Sequence, residues 1–346
     1  MRIAIIAPPW VAVPPRAYGG TENVIDTLAR GLQAAGHDVL LYATGDSTCP
    51  VPTDWVLPTA AGTDQATSAI ELRHVVNAYE AVLDWGADVV HDHTLVGPVY
   101  AARFGLPVVT TNHGPFASDL GDLYRAIGRD TPVIAISHHQ ASTARGVQLA
   151  GVIHHGVDVS QYPLGAGDGG YALFLGRMNP DKGVHQAIRI ARAARVPLKI
   201  AAKMAEPEEH RYYDEQVRPL LGGDVEYVGE VGFEEKVELL GGASCLLNPI
   251  AWPEPFGMVM IEALACGTPV LATRCGSVPE IVDDGLTGFV RDVESDLANE
   301  LLRVDDLDRD ACRAVVKERF SRERMVEDHV ALYREVAAAH EPSRAA

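Results

Sequence analysis

Ser244–Thr273 reads SCLLNPIAWPEPFGMVMIEALACGTPVLAT. Ser244–Asn248 and Val270–Thr273 are short apolar runs of strand length. Between them, Gly257–Ala265 has the composition of a buried helix, entered through a loop punctuated by proline and glycine. Strand, helix and strand in so short a span make a βαβ unit, whose two strands must run parallel in one sheet. Parallel sheets are covered on both faces, so their strands are apolar throughout instead of alternating.

The same alternation extends outward over the whole chain. Ile3–Ala7, Val39–Tyr42, Val89–His91, Val108–Thr111 and Val133–Ile136 form one strand series. Ala172–Leu175, Leu198–Ala201, Glu226–Val228, Ser244–Asn248 and Val270–Thr273 form another. Helices are expected at Thr21–Ala35, Gly183–Ala194, Glu234–Gly241 and Gly257–Ala265. Two βαβ series predict an α/β chain of two doubly wound, Rossmann-like domains facing across a cleft. The 346 residues suit two domains of about 150 each. The glycine-rich stretch GAGDGG, Gly165–Gly170, reads as the join. The expected domains are therefore 1–164 and 171–321, with a closing helix in 322–340 that packs back on the first.

Net charge is −18, from 29 basic and 47 acidic residues, which argues against nucleic acid or an anionic membrane as a partner. No apolar run approaches the ~20 residues of a membrane span, and the N-terminus lacks the pattern of a secretory signal. The five cysteines show no CxxC pairing and read as reduced thiols of a cytoplasmic protein.

In doubly wound sheets, ligands bind outside the carboxyl ends of the strands, so the loops there carry the chemistry. After Ala172–Leu175 comes GRMNPDKG, Gly176–Gly183. Its Arg177 and Lys182, at a strand end and a helix start, suit a diphosphate clamp. A plain surface turn with two solvated cations is the alternative. In the opening stretch, Gly257 allows a ligand close to the backbone, and the next amides point out of a helix N-terminus. Glu254 precedes those amides, and Glu262 lies about one and a half turns into the helix. Carboxylates accept paired hydrogen bonds from vicinal sugar hydroxyls. Glu254 could instead merely cap the helix, but Glu262 sits among apolar neighbours and needs a specific partner. The long loop PPWVAVPPRAYGG suggests a lid or an acceptor-facing wall, and Gly19 and Gly20 end it. His113 ends a strand in TTNHGPF. His91 and His93 share one side of the strand end VVHDHT, where a metal pair is conceivable but no third ligand is evident.

Taken together, these residues resemble the family-4 retaining glycosyltransferases of GT-B fold, over nearly the whole length. The E-x7-E signature of that family matches Glu254 to Glu262, and its GR-x4-KG element matches Gly176, Arg177, Lys182 and Gly183. The resemblance implies that Arg177 and Lys182 hold the donor diphosphate, that Glu254 meets the donor sugar and that Glu262 meets the ribose. It further implies contacts from the amides of Phe256, Gly257, Met258 and Val259. Gly20 would lie near the diphosphate, His113 near the sugar and Val231 near the base. Arg177, Lys182, Glu254 and His113 are the catalytic candidates. Tyr18, His93 and Asn112 are assigned to the acceptor side. One departure is GSVPE, in which Ser277 stands where the family has a second glycine.

The implied reaction moves a hexose from a nucleoside diphosphate sugar, UDP-linked first and GDP-linked next, to a hydroxyl of a soluble acceptor. The anomeric configuration is retained, and no metal or cofactor is expected. The rivals are a sugar-nucleotide epimerase or a phosphorylase of the same fold, and a non-catalytic sugar-nucleotide-binding module.

Overall fold

The computed structural model describes residues 1–17, 19–62, 67–117 and 119–344. They form two compact units. One is Met1–Gly156 together with the helix that begins at Arg322, and the other is Val157–Ser321.

The first unit holds a seven-stranded parallel sheet. Its strands are β1 (Arg2–Ile6), β2 (Asp38–Tyr42), β3 (Thr53–Asp54), β4 (Val89–Asp92), β5 (Val108–Thr111), β6 (Val133–Ala135) and β7 (Leu149–Val152). They lie in the order 3-2-1-4-5-6-7, with Ile3 beside both Val39 and Val89. The second unit holds six parallel strands: β8 (Ala172–Arg177), β9 (Leu198–Lys203), β10 (Val225–Gly229), β11 (Leu246–Asn248), β12 (Val270–Thr273) and β13 (Gly288–Arg291). Their order is 10-9-8-11-12-13. Each sheet thus reverses its winding once, between β1 and β4 and between β8 and β11. The central strands are apolar because helices cover both faces: Ile3–Ile6 and Ala172–Leu173 are fully buried. Among the helices, Met258–Ala265 is buried from Met260 onward, Glu262 included.

Sequence periodicity placed the central strands and missed β3, β7 and β13. These are short, and all three lie at sheet edges; β3 and β7 are only partly buried, so burial imposes little pattern on them. The domain join also differs from expectation. Gly165, Gly167 and Gly169 donate backbone bonds to Cys266, Gly241 and Gly242 at 2.9, 3.0 and 2.9 Å. A Cβ on Gly165 would stand 2.2 Å from the Gly241 backbone. GAGDGG is therefore a strap packed on the second unit, and its glycines serve close backbone approach, not flexibility. The chain passes between units at Gly156–Val157 and at Ser321–Arg322.

The last helix, Arg322–Arg344, belongs to the first unit. It lies against the helix Gly20–Ala34 at Gly31, where any Cβ would meet the Val326 side chain at 2.6 Å. No helix among the described residues is long and apolar enough to cross a membrane.

Candidate active site

In a doubly wound sheet the crevice opens where winding reverses, because the two flanking connections leave on opposite faces. In the second unit that point lies between β8 and β11. The loops leaving these two strands are those that carry Lys182 and Glu254. Gly183, with φ 80°, brings the first loop against the second: a Cβ there would stand 2.1 Å from the Pro249 carbonyl oxygen. Ala251 N also donates to Asp181 O at 2.8 Å. The two loops are thereby fastened together. Lys182 Nζ consequently forms a close ion pair with Glu254 Oε2, which also accepts Trp252 Nε1–H at 3.1 Å. The ammonium lies 5.2 Å from the centre of the Trp252 ring.

Arg177, the last residue of β8, is turned elsewhere. Its Nε donates to Glu209 Oε1 at 2.7 Å and its terminal nitrogen to Glu206 Oε1 at 2.8 Å. Glu209 in turn accepts the Ala205 and Glu206 amides at 2.8 and 3.1 Å. Arg177 is thus held apart from the Lys182–Glu254 pair.

Gly257 precedes the helix with φ 89° and ψ 70°, a left-handed turn that side chains resist. It leaves Glu254 outside any capping role: the helix start has no side-chain cap. The N–H groups of Met258 and Val259, unpaired among the described residues, therefore form a helix end suited to an anion, with no acid in its first turn. Ser277, the departure from the family glycine, takes φ −80° and so needs no glycine. Its hydroxyl donates a short bond to the Phe256 carbonyl, and its N–H donates to Glu254 O at 3.1 Å. The demanding position is Gly276, where a Cβ would come within 2.4 Å of Glu254 backbone atoms. Val231 lies just past β10, at the carboxyl edge of the same sheet.

Glu262 has the specific partner its apolar setting required. Lys236 Nζ donates to Glu262 Oε1 at 2.6 Å, and Tyr162 OH donates to the same oxygen at 3.2 Å. The carboxylate and the ammonium are 6% and 14% exposed, so the pair is largely withdrawn from water. With both donors on Oε1, Oε2 keeps its acceptor capacity for a ligand.

In the first unit, Gly20 opens its helix and has no neighbour within 4 Å of a Cβ position, so space lies above it. Tyr18 lies outside the described residues. The loop before it is tied down in its middle: Val13 is buried, and its carbonyl accepts Thr48 and Cys49 N–H at 2.9 and 3.0 Å. His93, Asn112 and His113 follow β4 and β5. His93 and Asn112 are buried, and only His113 is half-buried. His93 Nδ1 and His113 Nε2 are 2.8 Å apart. The His91 ring stacks 3.9 Å from that of His93, and its two nitrogens engage Tyr333 OH and Thr111 Oγ1 at 2.6 and 2.8 Å. Burial pushes His113 down to about 4 and holds His91 and His93 well below the usual imidazole range. The two strand-end histidines expected on one side thus join a hydrogen-bonded stack that reaches the last helix.

Sequence reasoning missed Trp252, Lys236 and Tyr162. Trp252 was legible in principle, since it shares the Glu254 loop. Lys236 carried a weaker signal, as a lone cation among the glutamates of GFEEKVE. Tyr162 carried none.

Two parallel, doubly wound sheets, one in each unit, make this a two-unit α/β protein of Rossmann-like class. Residues 18–161 match Glycosyltransferase Family 4, and residues 163–316 match glycosyl transferases group 1. The chain belongs to this family of GT-B glycosyltransferases. It is 27% identical over 381 residues to a glycogen synthase of Mycobacterium tuberculosis, covering 95% of this chain and 91% of that one. It is 28% identical over 400 residues to an alpha-maltose-1-phosphate synthase of Mycolicibacterium smegmatis, covering 98% and 100%. Among solved structures, AviGT4, a glycosyltransferase involved in avilamycin A biosynthesis, aligns with a TM-score of 0.75. It has 27% identity over 97% of this chain and 98% of that one.

Proposed function

We propose that this glycosyltransferase moves a hexose from a nucleoside diphosphate sugar to a hydroxyl of a soluble acceptor, with retention and without a metal. UDP is the first donor base and GDP the second. The observation that carries the reading is the meeting of Lys182, Glu254 and the Gly257 helix end at the β8/β11 reversal. An ammonium and free amides there suit a diphosphate, and a carboxylate beside them suits sugar hydroxyls. Two relatives named for glycogen and maltose phosphate, both built of hexose, support the sugar class. The net charge of −18 and the lack of a membrane-length helix among the described residues favour a soluble acceptor and a cytoplasmic setting.

In this mechanism the bond from the sugar C1 to the diphosphate oxygen breaks. The bond from C1 to the acceptor oxygen forms on the same face. The acceptor proton passes to the departing phosphate. Lys182 and the Met258 and Val259 amides stabilise the charge that develops on the leaving group, which lets them do a cation's part. Arg177 would join them by exchanging its Glu206 contact for the phosphate. Glu254 orients the sugar, Glu262 accepts from the ribose, and Val231 lies beside the base. The family resemblance assigns Gly20 to the diphosphate and His113 to the sugar.

The test is a thermal-shift screen of UDP, GDP and their hexose conjugates, followed by turnover. A nucleotide at a hundred times its Kd should stabilise the fold by about 2.7 kcal/mol. Glu254→Ala should keep the UDP shift and lose turnover. A screen in which no nucleotide moves the midpoint would overturn the proposal.

A further inference from the structure

The hydrogen bond between His93 Nδ1 and His113 Nε2, at 2.8 Å, holds information about proton position. Burial keeps both rings neutral at neutral pH. Two neutral imidazoles share one proton along such a line, so one ring donates and the other accepts. The far nitrogen of His93 decides which. His93 Nε2 is buried and has no hydrogen-bond partner among the described residues. The stacked His91 ring cannot serve it, because both His91 nitrogens are engaged with Tyr333 and Thr111.

If His113 were the donor, the His93 proton would sit on Nε2 as a buried N–H without an acceptor. Orphaned buried N–H groups are rarer than under-satisfied acceptors. If His93 is the donor, Nε2 is only a bare lone pair, the smaller loss. His113 must then accept at Nε2 and carry its own proton on Nδ1. That nitrogen hydrogen-bonds to none of the described residues, and His113 is the half-buried member of the pair. The turn beyond it is fixed by Gly114 N–H donating to Asn112 Oδ1 at 2.9 Å.

We infer that His93 is a positioning residue: it locks His113 in the Nδ1–H tautomer, so that His113 presents a hydrogen-bond donor to the transferred sugar. Its second half rests on the proposed contact of His113 with donor sugar. The first half needs no substrate and is tested separately.

Nitrogen-15 NMR of the histidine-labelled full chain at neutral pH reads the tautomer directly. The expected result is a protonated Nδ1 and an unprotonated Nε2 on His113. A proton on His113 Nε2 would overturn the inference. His93→Phe, which cannot donate, should let both His113 tautomers appear and lower kcat about tenfold, one neutral hydrogen bond lost in the transition state. His93→Asn, whose amide can donate from near the Nδ1 position, should restore both tautomer and rate. A mixed tautomer with unchanged kcat would refute the positioning role. If wild type turns over no sugar nucleotide, the proposed function fails, while the wild-type spectrum still decides the tautomer.

Discussion

Glu262→Ala tests the Lys236–Glu262 pair in both its structural and its ligand role. The carboxylate holds Lys236 Nζ at 2.6 Å and Tyr162 OH at 3.2 Å in a largely dry setting. Its removal strands an ammonium with nothing to replace it. Breaking one side of a buried pair costs about 3–5 kcal/mol. For a unit of this size, that lowers the melting midpoint on the order of 10 °C. Lys236→Met leaves the carboxylate with Tyr162 alone and should also destabilise. The double variant leaves no buried charge, and replacing such a pair by apolar groups is often close to neutral. Its stability should therefore exceed the sum of the single losses by about 1–3 kcal/mol. Urea unfolding of the four proteins measures this cycle. Additivity within about 0.5 kcal/mol would show that the two side chains do not share a buried interaction. Calorimetry then separates the roles. The double variant, though folded, should bind UDP poorly, because the ribose has lost its acceptor. Wild-type UDP affinity in that variant would remove Glu262 from the ribose.

Lys182→Ala should weaken donor binding and turnover together, by about 2–4 kcal/mol for a charge-assisted contact to a diphosphate; unchanged steady-state kinetics would sink the clamp. Turnover should survive chelation by EDTA, since Lys182 and the helix-end amides supply the positive charge; loss of activity restored by a divalent ion would refute this. Stability should fall with acid. His91, His93 and His155 are held well below 6.5 by burial, and His113 and His329 are pushed to about 4. The unfolded chain therefore binds more protons between pH 6.5 and about 4, and each such group costs up to about 1.4 kcal/mol per pH unit there. Asp92, raised to about 6 by burial, acts oppositely over part of that window, because the folded state holds its proton more tightly. One carboxyl against five imidazoles leaves a net loss. Melting curves at pH 7, 6 and 5 should show a falling midpoint, and a flat or rising one would contradict the neutral histidine stack.

The sequence alone carried the parallel strand–helix alternation, because helix and strand periods are imposed by burial over a few neighbouring residues. It also located the two loops that meet at the β8/β11 reversal, since glycines, a lysine and two glutamates at fixed spacing are local features. Tertiary structure decided what those residues touch. GAGDGG looked like a linker because glycine permits both flexibility and close approach, and only the Gly241–Gly242 backbone beside it selects the second. Lys236 and Tyr162 stand 26 and 100 positions from the Glu262 they serve. His91 finds Tyr333 across 242 residues. No local pattern encodes such partners, because a buried charge or ring nitrogen is satisfied by whichever group the packed helices and loops bring within about 3 Å.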